Sequence, residues 1–247
     1  SEMLGEEMKA VILAWGLGTR LKPYTTVFPK PLMPIGESPI LEIIIRQLKA
    51  RGFDEITLAV GHLAELIMAF FNDGSKYGLK IDYSREEKKL GTAGGLGLLK
   101  NRLKDDFLVM NGDVLTSLDF SEFLAFHKRT GSKATIALNQ RHVDIDFGVI
   151  ELDSDRRLRG YTEKPRIDYL VSMGVYAFHE SILEYIPANS YLDIPDLMKR
   201  LLADGETVNG YIHEGYWLDI GRPDDYEKAN EDTENIYREL GVSIDGT

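Results

Sequence analysis

The sequence predicts an α/β fold with a doubly wound sheet in a single compact domain. Apolar runs alternate with amphipathic stretches through the first half. From about Lys133 strand-like pieces follow one another with turn residues between them, and no linker rich in Gly, Pro or Ser divides the two regions. The repeated strand and helix order indicates a parallel sheet covered on both faces. The later run of strands indicates an antiparallel extension. At 247 residues and 43% hydrophobic, the chain is long enough to bury a substantial core.

In order, "KAVILA" (residues 9–14) reads as a buried strand. "SPILEIIIRQLKARG" reads as a helix with Ser38 as N-cap, Pro39 at its first position and Gly52 closing it. "EITLAV" is the next strand, followed by a helix near residues 63–71, the strand "LKIDYS", a helical stretch after Gly91 and the strand "DFLVMNGD". The extension is expected to use "KATIALNQ", "DFGVIELD", "RLRGYTEK" and "YLVSMGVYAF". The tail "PDDYEKANEDTENIYREL" is highly charged at helical spacing and reads as a solvated surface helix.

Composition narrows the function. A net charge of −11 opposes general association with nucleic acid or anionic membranes. The apolar run "LIMAFF" falls far short of the roughly 18 residues of a membrane span. The opening "SEMLGEEM" has neither a basic nor an apolar signal region, so a cytoplasmic location is expected. With no cysteine and five scattered histidines, thiolate and histidine metal sites are not expected.

Against this acidic background, residues 15–36 contain no acid and three bases, Arg20, Lys22 and Lys30. The segment opens with "LAWGLGTRLKP". It fits neither a Walker loop, which needs Gly-Lys-Ser/Thr, nor a dinucleotide fingerprint, since Leu21 stands where the third glycine belongs. Five of the nine prolines, at 23, 29, 31, 34 and 39, predict a long extended loop. Gly16 and Gly18 would let backbone N–H groups approach phosphate oxygens, with Arg20 and Lys30 adding positive charge.

The run "GLGTRLKPYTTVFPKPLMPI" resembles the signature of the sugar-1-phosphate nucleotidyltransferases, and the resemblance extends over roughly residues 8–230. Within that family the resemblance points to mannose-1-phosphate guanylyltransferase-like members. The resemblance implies a Rossmann-like mixed sheet with an antiparallel sugar-binding extension, a nucleotidyltransferase domain over residues 8–230 and a C-terminal helical tail over 231–247. The C-terminal β-helix that some members carry is not expected within these 247 residues. The resemblance also implies a reaction: the phosphate of a sugar 1-phosphate attacks a nucleoside triphosphate, giving a nucleotide sugar and pyrophosphate with Mg²⁺. Homo-oligomerisation stays open.

Residue by residue, the resemblance implies that Leu13, Ala14, Gly16, Gly18, Thr19, Arg20, Glu86, Gly91 and Thr92 bind the nucleotide. Arg20, Lys30, Asp113 and Lys164 would carry catalysis. Asp113 in "VMNGDVL" and Asp219 in "YWLDIGRP" resemble the family's two magnesium-binding carboxylates, and oxygen ligands suit that ion. Lys164 and Glu163 in "YTEKPR" match the residues that grip the sugar phosphate and a sugar hydroxyl, while Gly148 and Gly174 would allow close approach to the sugar.

Glu86 stands five residues before Gly91, where members using other bases commonly have glutamine. An ionised carboxylate only accepts hydrogen bonds, which suits the adjacent N1–H and N2–H₂ donors of guanine. GTP with mannose 1-phosphate is therefore the preferred pair. A glucose-1-phosphate thymidylyl- or uridylyltransferase and a catalytically weak nucleotide-sugar-binding regulatory paralogue are the alternatives. Trp15 departs from the pattern, since the family normally has glycine there. Its indole could stack on a base, block the pocket or turn aside into a gap.

Overall fold

The computed structural model describes residues 7–16 and 18–243. The first six residues, on which the expectation about a leader rests, and the last four of the tail lie outside the described residues. The strands are β1 (Met8–Leu13), β2 (Pro34–Ile35), β3 (Ser38–Pro39), β4 (Phe53–Val60), β5 (Lys80–Arg85), β6 (Asp106–Asn111), β7 (Val114–Thr116), β8 (Ala134–Asp144), β9 (Val149–Leu152), β10 (Leu158–Thr162), β11 (Arg166–His179), β12 (Val208–Ile212) and β13 (Trp217–Asp219). The helices are α1 (Ile40–Ala50), α2 (Ala64–Phe71), α3 (Gly91–Gly94), α4 (Phe120–Thr130), α5 (Ile194–Ala203), α6 (Pro223–Glu231) and α7 (Thr233–Leu240).

Seven strands form one sheet in the order β12-β8-β11-β6-β1-β4-β5. β6, β1, β4 and β5 run parallel, whereas β11 lies antiparallel to both β6 and β8. The sheet is doubly wound because successive residues of a strand point to opposite faces. Ala10 and Ile12 of β1 enter the core beneath α1 and α2, and Val11 enters the core beneath α5. Both faces are therefore apolar and covered, as parallel strands require. From β1 the chain steps outward to β4 and β5, then returns to place β6 on the other side of β1. That reversal opens a crevice at the carboxyl ends of β1 and β6, where doubly wound sheets bind ligands.

The antiparallel extension is continuous with the central sheet: β8 and β11 join it, and their outer halves and the β9–β10 hairpin project from it. Several expectations change. Ser38 and Pro39 pair with Ile35 and Pro34, so α1 starts at Ile40, with Pro39 as its extended N-cap. The proline-rich segment is not one extended loop. It folds into three 3-10 turns, Thr19–Leu21, Tyr24–Thr26 and Lys30–Leu32, because the fixed φ of proline also suits the start of a tight turn. Leu21 and Leu32 bury their side chains there.

The tail is not a solvated helix. It forms α6 and α7, and Ile236, Tyr237 and Leu240 of α7 join the core. The Tyr237 hydroxyl donates to Ile35 O at 2.8 Å, and Gln47 Nε2 donates to Leu240 O at 3.2 Å. The charged residues that suggested a solvated helix occupy the other face. The expected division after residue 230 falls inside α6. Among the described residues no helix is long and apolar enough to cross a membrane.

Candidate active site

The crevice is a cleft of two adjoining lobes. The first, about 210 Å³, is lined by the opening loop together with Lys30, Gly112 and Asp113. The second, about 450 Å³, shares Leu13, Trp15, Gly16, Gly18 and Thr19 with it and adds Glu86, Lys89, Gly91, Thr92, Tyr191 and Asp193. The smaller lobe carries Arg20, Lys30 and Asp113, while the larger is roomy enough for a nucleoside.

The floor is built from local rules. Gly16 has open space where a side chain would begin, so its backbone faces the cavity directly. Gly18 takes φ +55°, and its carbonyl accepts from the Thr25 hydroxyl at 2.7 Å and Leu21 N–H at 2.8 Å. Those bonds turn the chain so that Arg20 lines the small lobe beside Gly221. Lys30, on the third 3-10 turn, forms a direct ion pair with Asp113.

Asp113 follows β6 at the end of the parallel strands. Gly112 N–H donates to Leu13 O at 3.0 Å, which fixes this turn against β1. Asp219 arrives from the far end of the chain because β13 pairs with β7, placing Asp219 opposite Val114. Loss of surrounding water, followed by the Asp113 charge, holds the Asp219 carboxyl above its usual range, while Lys30 and Arg20 pull it down. The two carboxylates are thus near enough for their charges to interact, and Ile220 N–H beside Asp219 donates to Asp113 O at 3.1 Å. Among the described residues no group of three or more His, Cys, Asp or Glu gathers as a metal site. A pair of hard oxygen donors fits Mg²⁺, which keeps waters and substrate phosphates as its remaining ligands.

Glu86 does not point to solvent. It is 8% exposed; one carboxylate oxygen accepts from Leu90 N–H at 3.3 Å and the other covers Gly95. Burial pushes its carboxyl up, partly offset by the Leu90 bond. Gly91 and Thr92 line the same lobe, though they also serve packing. Gly91, at φ +78°, would place a Cβ 2.6 Å from Leu192 O, and Thr92 N–H donates to Asp193 Oδ1 at 3.0 Å. Asp193 and Tyr191 escaped the sequence reading. Their only signal was the Asp-Ile-Pro start of α5, an N-cap position that bonds Thr92 rather than its own helix.

Of the residues expected on the sugar side, Gly148, Glu163 and Lys164 line neither lobe of this cleft. Glu163 and Lys164 occupy the exposed turn between β10 and β11. Tyr161 links Glu163 to Gly148: its hydroxyl donates to Glu163 Oε2 at 3.0 Å, and a Cβ on Gly148 would come 2.4 Å from its oxygen. Gly174, at φ +74°, sits at a break in the β8–β11 pairing and lets β11 approach Asn111, where a Cβ would fall 2.6 Å from the amide nitrogen. It thereby packs directly behind the turn that carries Asp113.

Trp15 turns aside. Its backbone is not in the left-handed region, so replacing glycine here carries no such strain. The indole lies over Gly61, where an added Cβ would come 1.7 Å from Nε1.

Comparison with known proteins agrees with this architecture. A family model described as nucleotidyl transferase matches residues 9–236. A UTP–glucose-1-phosphate uridylyltransferase of Synechocystis sp. is 35% identical over 241 residues, covering 90% of this chain and 62% of that protein. A mannose-1-phosphate guanylyltransferase of Mycobacterium tuberculosis is 33% identical over 236 residues, covering 93% of this chain and 66% of that protein. The chain thus spans about two thirds or less of the length of these relatives. Among solved structures, HddC from Yersinia pseudotuberculosis complexed with GMP-PN superposes with a TM-score of 0.70 at 26% identity, covering 92% of this chain and 99% of that one. A Bacillus anthracis structure provisionally assigned as a glucose-1-phosphate thymidylyltransferase gives a TM-score of 0.75 at 25% identity, covering 96% and 97%.

Proposed function

Because the chain belongs to the nucleotidyl transferase family, we propose that it joins a sugar 1-phosphate to a nucleoside triphosphate and releases pyrophosphate, with GTP and mannose 1-phosphate as the favoured pair. The observation that carries this reading is the small lobe, where an acid-free glycine loop bearing Arg20 and Lys30 faces Asp113, with Asp219 close enough for the Asp113 charge to act on it. Such an arrangement suits a reaction between two phosphate-bearing molecules, which must be held together against their own repulsion.

In this mechanism a phosphate oxygen of the sugar 1-phosphate attacks the α-phosphorus in line, and the bond to the pyrophosphate oxygen breaks. The backbone at Gly16 and Gly18 cradles the triphosphate, and Arg20 with Lys30 stabilises the charge that gathers on the departing pyrophosphate. Asp113 and Asp219 would hold Mg²⁺, which when bound neutralises phosphate charge. Lys164 and Glu163 position the sugar phosphate and a sugar hydroxyl from the arm.

Guanine is favoured by a carboxylate at Glu86 in the larger lobe. The guanylyltransferase relative and the GMP-PN complex of HddC support the same choice, while the Synechocystis relative makes UTP the competitor. A role limited to binding rests on Trp15 alone, whereas Arg20, Lys30 and Asp113 all line the small lobe and favour catalysis. Pyrophosphate release measured with each of GTP, UTP, TTP and ATP against mannose, glucose and heptose 1-phosphates is the test. Fastest turnover is expected with GTP and mannose 1-phosphate; no release with any pair would end the proposal.

A further inference from the structure

Three side chains without a part in the mechanism meet within the larger lobe. Lys89 Nζ stands 5.7 Å from the centroid of the Trp15 ring and 6.0 Å from that of Tyr191. Both distances lie within the range of cation–π attraction. Tyr191 is anchored at its far end, where the hydroxyl donates to Asp193 Oδ2 at 2.6 Å. Trp15 is seated from behind on Gly61, whose missing side chain leaves the space that indole Nε1 and Cδ1 fill. The two rings therefore hold the ammonium in the same lobe that Glu86 lines.

An ammonium and a carboxylate that line one lobe impose a definite hydrogen-bond order on a base held between them. Lys only donates and ionised Glu only accepts. Guanine, uracil and thymine present a ring carbonyl next to a ring N–H, which matches that order. Adenine and cytosine present an amino group next to an unprotonated ring nitrogen, which reverses it. We infer that Lys89 is a specificity-determining residue that donates to the ring carbonyl of a keto base, and that Trp15 is the positioning residue that keeps its ammonium over the lobe. This rests on the reading of the cleft as a nucleotide site and adds to it a means of excluding ATP and CTP. Glu86 alone would then separate guanine, with its second donor, from uracil.

The test measures dissociation constants of the Mg²⁺ complexes of GTP, UTP, ATP and CTP by calorimetry, so that discrimination is read independently of turnover. Lys89→Met is expected to reduce the preference for GTP over ATP by roughly tenfold, the worth of one hydrogen bond to a charged donor. Lys89→Arg should restore the preference. Gly61→Ala, which evicts the indole, should shift the ratio in the same direction as Lys89→Met, while Trp15→Phe, which keeps an aromatic face, should leave it near the starting value. Lys89 is exposed, so its variants remain informative should Gly61→Ala fail to fold. A GTP-to-ATP ratio unmoved by Lys89→Met would overturn the inference while leaving the proposed reaction standing. Normal discrimination without pyrophosphate release would uphold it and remove the reaction instead. Binding of none of the four nucleotides would overturn both.

Discussion

The Lys30 ammonium rests directly on the Asp113 carboxylate, across 83 residues of sequence, and so ties the proline-rich loop to the carboxyl end of β6. One cation thereby serves two purposes: it offsets carboxylate charge and lines the lobe proposed to take phosphate. Lys30→Met removes both. Pyrophosphate release with GTP and mannose 1-phosphate should fall by roughly 10²-fold or more, the usual loss when a preorganised electrostatic group is deleted. Turnover within a factor of two of the parent would exclude Lys30 from the chemistry.

Asp219 offers the opposite separation of function from stability. Its carboxyl is held above the usual range by loss of water and by Asp113, so the ionised form is disfavoured in the folded chain. Asp219→Asn relieves that repulsion. The thermal midpoint without Mg²⁺ should stay level or rise at neutral pH, while the response of pyrophosphate release to Mg²⁺ is lost. A lower midpoint together with an intact Mg²⁺ response would contradict both halves of the assignment.

Glu86→Gln addresses the base. The amide oxygen can still accept from Leu90 N–H, so the loop should hold. The amide nitrogen, however, would bring a donor towards the guanine donors. The preference for GTP over UTP is expected to fall by about 1–3 kcal/mol in kcat/KM, the cost of a mismatched buried polar group. An unchanged ratio from steady-state competition would remove Glu86 as the guanine reader.

Buried His127 predicts the response of the fold to acid. Nδ1 lies 2.7 Å from Thr135 Oγ1 and Nε2 3.3 Å from Asp106 Oδ1. Burial lowers the ring's pKa, Asp106 acts against this, and His179 and Lys128 add to the lowering. With a folded pKa below the unfolded value of about 6.5, the unfolded chain takes up the proton first. This residue's contribution should therefore be intact above pH 6.5 and decline as the pH falls from there towards the folded pKa. Urea midpoints for the parent and His127→Gln at pH 7.5 and 5.5 provide the check, and the parent should lose more stability than the variant over that interval. Equal losses would locate the acid sensitivity elsewhere.

Much of the site was legible because its parts are local. The acid-free stretch, the glycines of the opening loop and the placement of Asp113 after an apolar strand follow from composition, φ freedom and the alternation of strand and helix, all of which act over a few residues. Helices α4 and α5 were equally legible and were passed over: Phe120, Phe123 and Leu124, and Ile194, Leu197, Met198 and Leu201, recur at helical spacing and are buried.

By itself, then, the sequence determined that a doubly wound sheet would place a glycine loop and Asp113 at one crevice. Tertiary structure decided what meets them there. Asp219 reaches Asp113 only because β13 pairs with β7, Asp193 meets Thr92 across 101 residues, and Trp15 finds its seat on Gly61, just past the end of the neighbouring β4. α7 is buried because three apolar residues on one face of a charged helix find the space beside α1. Periodicity and backbone freedom are properties of a short segment, whereas a contact between distant segments depends on strand order and register. These are fixed only when the whole core packs.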